Sequence, residues 1–484
     1  MCEPARSQSP HSTVAVLQGA LEEGAAKPVR GKAGQEGGCM TIMPGQSSAG
    51  SAEAAKQGAE TPARANWSWV EAGVWTERML SALGNGVKGG KWYSLIDKVC
   101  ALATLRLAWA KVQTNRGAAG VDGQSVERFA AKAESYLAEL ATALREGNYR
   151  PQAVKRVEIP KGDGKLRPLG IPTVKDRIVQ QAVRLVIEPI FESVFCDGSY
   201  GFRPERGCHD ALGEVDRLLK AGYTHVVDAD LQSYFDTIPH ERLMARVEER
   251  VSDGRVLDLI RGWLTADILR GLDRWTPLQG SPQGAVISPL LANIYLDPLD
   301  RLMAAHGYSM VRYADDFVIL TRSHAEAEAA LALVKEWVEA NGLTLHPVKT
   351  RIANCRKKGN GFEFLGYRFE CGRRYIRKKS LDKLTETIRA KTRRTRGQSL
   401  TVVIADLNRT LQGWFGYFKH AYPRIFHALD AMIRRRLRAM LRKQARRPGF
   451  GKCRADHQRW PNAYFANAGL FALHTAWQTA RQSR

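Results

Sequence analysis

The sequence has no CxxC pair. Its eight cysteines stand at positions 2, 39, 100, 196, 208, 355, 371 and 453, too scattered for a zinc knuckle or a disulfide framework, and a reducing compartment suits them. Cys453 and His457 are close enough in sequence to share a metal, but no second pair accompanies them, so they read as unrelated side chains of a basic segment. Long apolar runs are also missing. None reaches the roughly 18 residues needed to span a bilayer, and the amino-terminus lacks the uninterrupted apolar core of a secretory signal. These absences predict a cytoplasmic chain with no membrane partner. Acidic residues are in short supply, 49 Asp and Glu against 73 Lys and Arg, a formal net charge of +24. An excess of this size points to a polyanion, because Lys and Arg neutralise phosphates and release their counterions. Charge alone gives nucleic acid as a partner and leaves the activity open.

The 484 residues are too many for one core and suggest two or three folded units with tails. Residues 1 to 65 are rich in Gly, Ala, Ser, Gln and Pro without an apolar period, which predicts a disordered extension. Helical periodicity follows over Trp92 to Ala110, Ser125 to Glu146, Asp176 to Ile190, Glu241 to Leu264 and Ala325 to Asn341. Strand patterns occur from Val154 to Ile159 and from His225 to Leu231. Met310 to Leu320 reads as strand, tight turn, strand. Beyond about residue 373 the chain reads as helical and very basic, with aromatic residues among the cations.

The sharpest chemical signal is Tyr313-Ala314-Asp315-Asp316, flanked by Met310 and Val311 before it and Phe317 to Leu320 after it. Adjacent carboxylates at the tip of an apolar hairpin repel unless a cation sits between them. Mg²⁺, a hard ion that takes carboxylate and phosphate oxygens, suits such a tip. An ordinary polar turn would also contain Asp-Asp. Upstream, Val226-Val227-Asp228-Ala229-Asp230-Leu231 places Asp228 and Asp230 on one face of a strand. If that strand lies beside the hairpin, Asp230 completes a set of three carboxylates able to hold two metals about 4 Å apart, the arrangement used for phosphoryl transfer. Asp228 reads as a neighbour that shapes the field.

The run Asp230-Leu231-Gln232-Ser233-Tyr234-Phe235-Asp236, the segment Gln279 to Asn293 with Pro282-Gln283-Gly284, and Tyr313 to Asp316 together resemble the palm motifs of reverse transcriptases. Lys165 to Pro172 with Asp176-Arg177, Gly201 to Pro204, Pro347 to Thr350 and Phe364 to Tyr367 extend the likeness over residues 90 to 445. In this order they resemble the bacterial group II intron reverse transcriptase/maturases. The resemblance implies an α+β fold: a right-hand polymerase with fingers and an antiparallel palm over residues 66 to 380. A helical thumb/maturase domain would occupy 381 to 447, and 448 to 484 would be a short basic tail, a possible nucleic-acid-binding appendage.

For the site, the resemblance implies metal ligation of two Mg²⁺ by Asp230, Asp315 and Asp316, and a general acid at Lys349. Lys165 and Arg167 would fold over the triphosphate. Phe235 would exclude a ribose 2′-OH, Gln283 would sit near the sugar of the dNTP, and Gly366 would grip the primer. Arg393, Arg394 and Arg435 would contact RNA or primer. Expected partners are structured intron RNA, a DNA target and primer, and dNTP, with a homodimer possible and a bacterial, nucleoid-associated location. Family members with a C-terminal HNH endonuclease carry two Cys pairs; none is present here, which predicts no second-strand cleavage. A splicing cofactor with a silent polymerase, and a relative that copies another RNA, are the competing readings.

Overall fold

One sheet whose two faces enter different cores decides how the molecule is layered. The computed structural model describes residues 67–162 and 165–482; the expectation of disorder over 1 to 65 lies outside the described residues. The strands are β1 (Val154–Gly162), β2 (Lys165–Ile171), β3 (His225–Asp230), β4 (Ile268–Arg270), β5 (Asp273–Trp275), β6 (Ser309–Tyr313), β7 (Asp316–Thr321), β8 (Arg351–Asn354), β9 (Phe362–Phe364), β10 (Tyr367–Glu370) and β11 (Arg373–Ile376). Helices of nine residues or more are α1 (Glu77–Asn85), α2 (Leu102–Thr114), α3 (Ala133–Glu146), α4 (Val174–Glu192), α5 (Cys208–Lys220), α6 (His240–Glu248), α7 (Gly254–Leu264), α8 (Ser288–Ala305), α9 (His324–Ala340), α10 (Lys378–Lys391), α11 (Leu400–Phe418), α12 (Arg424–Gln444) and α13 (Leu473–Gln482). None is long and apolar enough to cross a membrane.

The central sheet runs β6-β7-β3-β8 with every pairing antiparallel. Successive side chains of a strand point to opposite faces, and both faces here are covered. Val227, Ala229, Phe317 and Ile319 enter one core with Leu296 of α8 and Val334 of α9. Val226, Val311, Val318 and Leu320 enter a second with Leu212 and Val215 of α5, and with Leu407, Leu411 and Phe426 of α11 and α12. The sheet is thus the shared wall between the palm and the helical thumb, which explains the continuous apolar run Phe317 to Leu320 in β7. The fingers carry a second sheet, β2-β1-β4-β5, in which β1 and β2 form a long antiparallel hairpin and β1 pairs with β4 in parallel. A three-stranded sheet, β11-β10-β9, joins palm to thumb.

Three predicted helices are each divided. Glu241 to Leu264 is α6 and α7, because Asp253 caps α7 through the amides of Arg255 and Val256 while its other oxygen accepts from Ile96 N at 2.8 Å. Trp92 to Ala110 gives up Trp92 to a bridge with Val251, then forms a short helix over Ile96–Val99 before α2. Ser125 to Glu146 is a short helix over Val126–Ala130 followed by α3. In the first two cases a tertiary partner overrides a local period.

The segment after residue 447, expected as a tail, lies on α11 and α12. Trp460, Phe465 and Leu473 are buried in the thumb core. Arg438, itself buried, donates to Trp460 O and Asn462 Oδ1, both at 2.8 Å. The Asp430 carboxylate accepts from the amides of Leu473 and His474 at 3.0 Å, capping α13. The apolar residues of this segment are spread over three short helices, so no period announced them. Phe465→Ala should lower stability by about 3–5 kcal/mol, read as a lower denaturant midpoint of thumb unfolding; a loss below about 1 kcal/mol would mean that the segment is only loosely attached.

Candidate active site

β6 and β7 are joined by two residues, Ala314 and Asp315, with Tyr313 and Asp316 as the last paired residues. Ala314 takes a left-handed conformation at φ 59°, which closes so short a connection. On the other side of β7, the register sets Asp230 of β3 directly opposite Asp316. Two like charges facing each other across a ladder are destabilising, and Asp228 and Asp315 add to the crowding. Burial, together with the carboxylates of Asp228, Asp315 and Asp230, pushes the Asp316 carboxyl up to about 7, with Arg377 opposing. Burial also pushes Asp228 up to about 6; Arg351, 3.6 Å away, opposes that shift.

This donor set suits a hard divalent cation: every candidate ligand is a carboxylate oxygen, and the acidic crowding at Asp316 is of the kind a cation offsets. As the side chains stand, no group of three or more His, Cys, Asp or Glu among the described residues encloses an ion. Asp230 Oδ2 lies 2.6 Å from Lys349 Nζ. The chain reaches that contact because Thr344 to His346 runs beside β3: Gln232 N donates to Thr344 O and His346 N to Asp230 O, both at 2.8 Å.

A buried arginine holds the hairpin from beneath. Arg312 is fully buried and donates to Asp300 at 2.8 and 2.5 Å, to Asn293 Oδ1 at 2.9 Å and to Ala314 O, at the tip itself, at 2.9 Å. Asn293 Nδ2 donates in turn to Gly201 O at 2.8 Å. Residues 198 to 201 lie along β6, exchanging bonds with the backbone of Arg312 at 2.8 Å. A Cβ on Gly201 would stand 2.3 Å from Ala314 N, so only glycine permits the approach. Sequence reasoning missed this network. Asn293 and Asp300, seven residues apart on α8, are the one signal that could have found it, two polar residues on an apolar helix face.

The other predicted residues are spread over several elements. Phe235, half-buried, follows Ser233, which is left-handed at φ 50°. The Phe235 carbonyl accepts from Ser281 N at 2.7 Å. Gln283 lies on the loop between that turn and the fingers hairpin, its carbonyl accepting from Gly170 N at 2.6 Å. Gly280 and Gly284, at φ 91° and 109°, let the loop touch backbone on both sides; an added Cβ would meet Asp236 and Phe235 oxygens at 2.9 Å, or Gly170 O at 2.6 Å. Arg167 is exposed on β2; the side chain of Lys165 lies outside the described residues. Gly366, at φ 78°, turns between β9 and β10 against Phe418, its carbonyl accepting from Arg377 N at 2.9 Å. Arg393, exposed, and Arg394, half-buried, stand between α10 and α11, and Arg435 is exposed on α12.

Residues 159–369 match the family described as Reverse transcriptase (RNA-dependent DNA polymerase). Residues 381–460 match Group II intron, maturase-specific domain. The fold and the paired carboxylates therefore sit in a reverse transcriptase, an RNA-directed DNA polymerase domain, with a maturase-specific domain following it. The chain belongs to the reverse transcriptase/maturase family of group II intron-encoded proteins. It is 38% identical to Protein YkfC of Escherichia coli over 303 residues, covering 54% of this chain and 76% of YkfC. It is 38% identical to the Group II intron-encoded protein LtrA of Lactococcus lactis over 260 residues, covering 53% of this chain and 39% of LtrA. A further relative is the uncharacterized 91 kDa protein in the cob intron of Schizosaccharomyces pombe, 31% identical, with 48% of this chain and 35% of that protein covered. The chain thus spans less than half the length of these two intron-encoded relatives.

Arg312→Met should destabilise the palm by about 3–5 kcal/mol, since Asp300 is left buried without its partner, and the double variant Arg312→Met/Asp300→Leu should lose less; equal losses in urea denaturation would contradict this. At pH 8, above its raised pKa of about 7, Asp316 is mostly ionised, and Asp316→Asn removes a like charge from a buried cluster. In EDTA it should raise the thermal midpoint by about 1–3 °C, and a lower midpoint would mean that the cluster is not under electrostatic strain.

Proposed function

We propose that this chain is an RNA-directed DNA polymerase that binds its intron RNA, assists its splicing and copies it into DNA from a DNA primer during intron mobility. The observation that carries the reading is the β3–β7 register, which sets Asp230 against Asp316 with Asp315 at the adjoining tip. On this reading Asp230, Asp315 and Asp316 hold two Mg²⁺ ions, which when bound stabilise the attacking and leaving oxygens of the displacement. Fingers and palm extend to about residue 380, with the thumb and the segment folded on it beyond.

The remaining chemistry belongs to the chain's own side chains. Lys165 and Arg167 reach over the triphosphate from the fingers hairpin and offset charge on the leaving pyrophosphate. Lys349 offers a proton to that leaving group, at the price of its contact with Asp230. Phe235 stands where a ribose 2′-OH would need room and so favours deoxynucleotides. Gln283 adds an amide, a donor and an acceptor without charge, beside the sugar. Gly366 lets the primer backbone approach closely. The basic thumb, with its interleaved aromatic residues, takes structured RNA. Its presence favours an intron RNA over another template, and the four-part acidic neighbourhood favours a working polymerase over a silent splicing cofactor.

Primer extension on an RNA template with Mg²⁺ tests the reading. Asp315→Ala should lose on the order of 10³-fold or more in rate, the several kcal/mol that a metal site supplies, while splicing of the bound intron persists. Extension at near wild-type rate would refute the assignment, and parallel loss of splicing in folded protein would refute two separable functions. Phe235→Ala should raise ribonucleotide incorporation relative to deoxynucleotide; an unchanged ratio would remove Phe235 from the gate.

A further inference from the structure

A cleft of about 400 Å³ opens between the loop after α10 and the face of α12, and Thr392, Arg394, Arg435, Arg436, Phe450 and Lys452 line it. Among the described residues, no acidic side chain lines it. Two of its four cations are fixed in place. Arg394 lies over the Phe450 ring at 4.7 Å and donates to Gly449 O at 2.9 Å. Arg436 donates to Thr392 Oγ1 at 2.6 Å and to Arg389 O at 3.1 Å. Arg435 and Lys452 are exposed. The cluster is electrostatically unbalanced: burial, then the like charges of Arg389 and Arg435, lower the pKa of Arg436.

Phe450 is the unusual member. It is 66% exposed on the loop after α12. That loop is seated firmly, since Gly451, at φ 70°, comes so close to α12 that a Cβ there would lie 2.7 Å from Ala439 N. An exposed ring backed by a guanidinium and surrounded by unpaired positive charge has two unmet requirements, a flat partner for the ring and anions for the cations. One nucleotide supplies both. The volume falls in the range of pockets that take small ligands. An acidic peptide would answer the cations alone and leave the ring in water.

We infer that this cleft holds one unpaired nucleotide of a structured RNA, its base stacked on Phe450 and its flanking phosphates held by Arg435, Arg436 and Lys452. The inference rests on the reading of the thumb as an RNA-binding domain and makes it specific. A base within a helix has its faces covered by its neighbours, so the cleft selects a bulged or looped-out residue. Phosphate contacts give affinity without selectivity, and the ring gives the selectivity.

The test uses the full chain and two fluorescein-labelled RNA hairpins of equal length, one fully paired and one with a single unpaired adenosine in its stem. Binding is followed by anisotropy over a salt series. Wild type should prefer the bulged hairpin on the order of tenfold, the stacking of one base on one ring. Phe450→Ala should abolish the preference and leave affinity for the paired hairpin unchanged, while Phe450→Trp should keep the preference. Arg435→Ala and Lys452→Ala should weaken both RNAs alike, each lowering the salt slope by about 1. A preference that survives Phe450→Ala, or equal loss on both hairpins in that variant, would overturn the proposal. So would equal wild-type affinity for the two hairpins, which leaves the thumb's RNA reading standing; binding of neither would overturn that reading as well. Binding of free AMP without any bulge preference would assign the cleft to a mononucleotide and overturn its assignment to RNA.

Discussion

The antiparallel register of β3 on β7 is the constraint on which the rest of the structure depends. Side chains alternate between faces along a strand, so a slip of one residue would turn Asp230 and its whole apolar set to the wrong side. Both faces of this sheet are buried, in two different cores, and each core therefore votes on the register. Val227 and Ala229 must reach α8 and α9, while Val226 must reach the thumb side. The opposition of Asp230 and Asp316, unfavourable in itself, is forced by hydrophobic packing that has nothing to do with catalysis. That is how a fold can maintain a cluster of like charges that no local preference would assemble.

The same logic runs through the supports of the hairpin. Removing a guanidinium from water is expensive, and Arg312, buried in the palm, donates four hydrogen bonds, to Asp300, Asn293 and Ala314. A buried pair of this sort is weak evidence for stability against an apolar alternative. What it fixes is position: one of its donors ends on the carbonyl of Ala314, the residue before Asp315. Through Asn293 and Gly201, the segment that follows α4 is tied to the same point. The hairpin tip is held by side chains whose rotamers are themselves locked, the condition under which charged groups can be kept at a fixed spacing.

The apolar run Phe317 to Leu320 marked a buried strand, but Asp-Asp alone also suits an ordinary polar turn. The palm became legible through the resemblance of its motifs, taken in order, to those of reverse transcriptases. The adjacency of β3 and β7 could only be inferred conditionally, because pairing of distant strands leaves no local mark. Gly280 and Gly284 lay in plain view, but their use, letting one loop touch two backbones, becomes apparent only in three dimensions. Arg312 was hidden for the opposite reason: an arginine on a strand reads as exposed, and its side-chain partners Asp300 and Asn293 stand on a different element, α8. The division of Glu241 to Leu264 was likewise invisible, since Asp253 earns its place as a cap only once Ile96 is beside it. Beyond residue 447 the apolar residues are too sparse to set a period, so that segment's attachment to α11 and α12 could not be read.

Palm and thumb share the β6-β7-β3-β8 wall, so a chain that grips RNA with one part necessarily positions its acidic hairpin with the same core. The central claim is that Asp230, Asp315 and Asp316 jointly hold the catalytic metal ions. Its most direct measurement is anomalous scattering from Mn²⁺ in crystals of the protein with an RNA template, a DNA primer and a non-hydrolysable dNTP analogue. The account predicts Mn²⁺ liganded by oxygens of all three aspartates and of the triphosphate, with Lys349 released from Asp230. Metal bound to the triphosphate alone, with Lys349 still on Asp230, would contradict it.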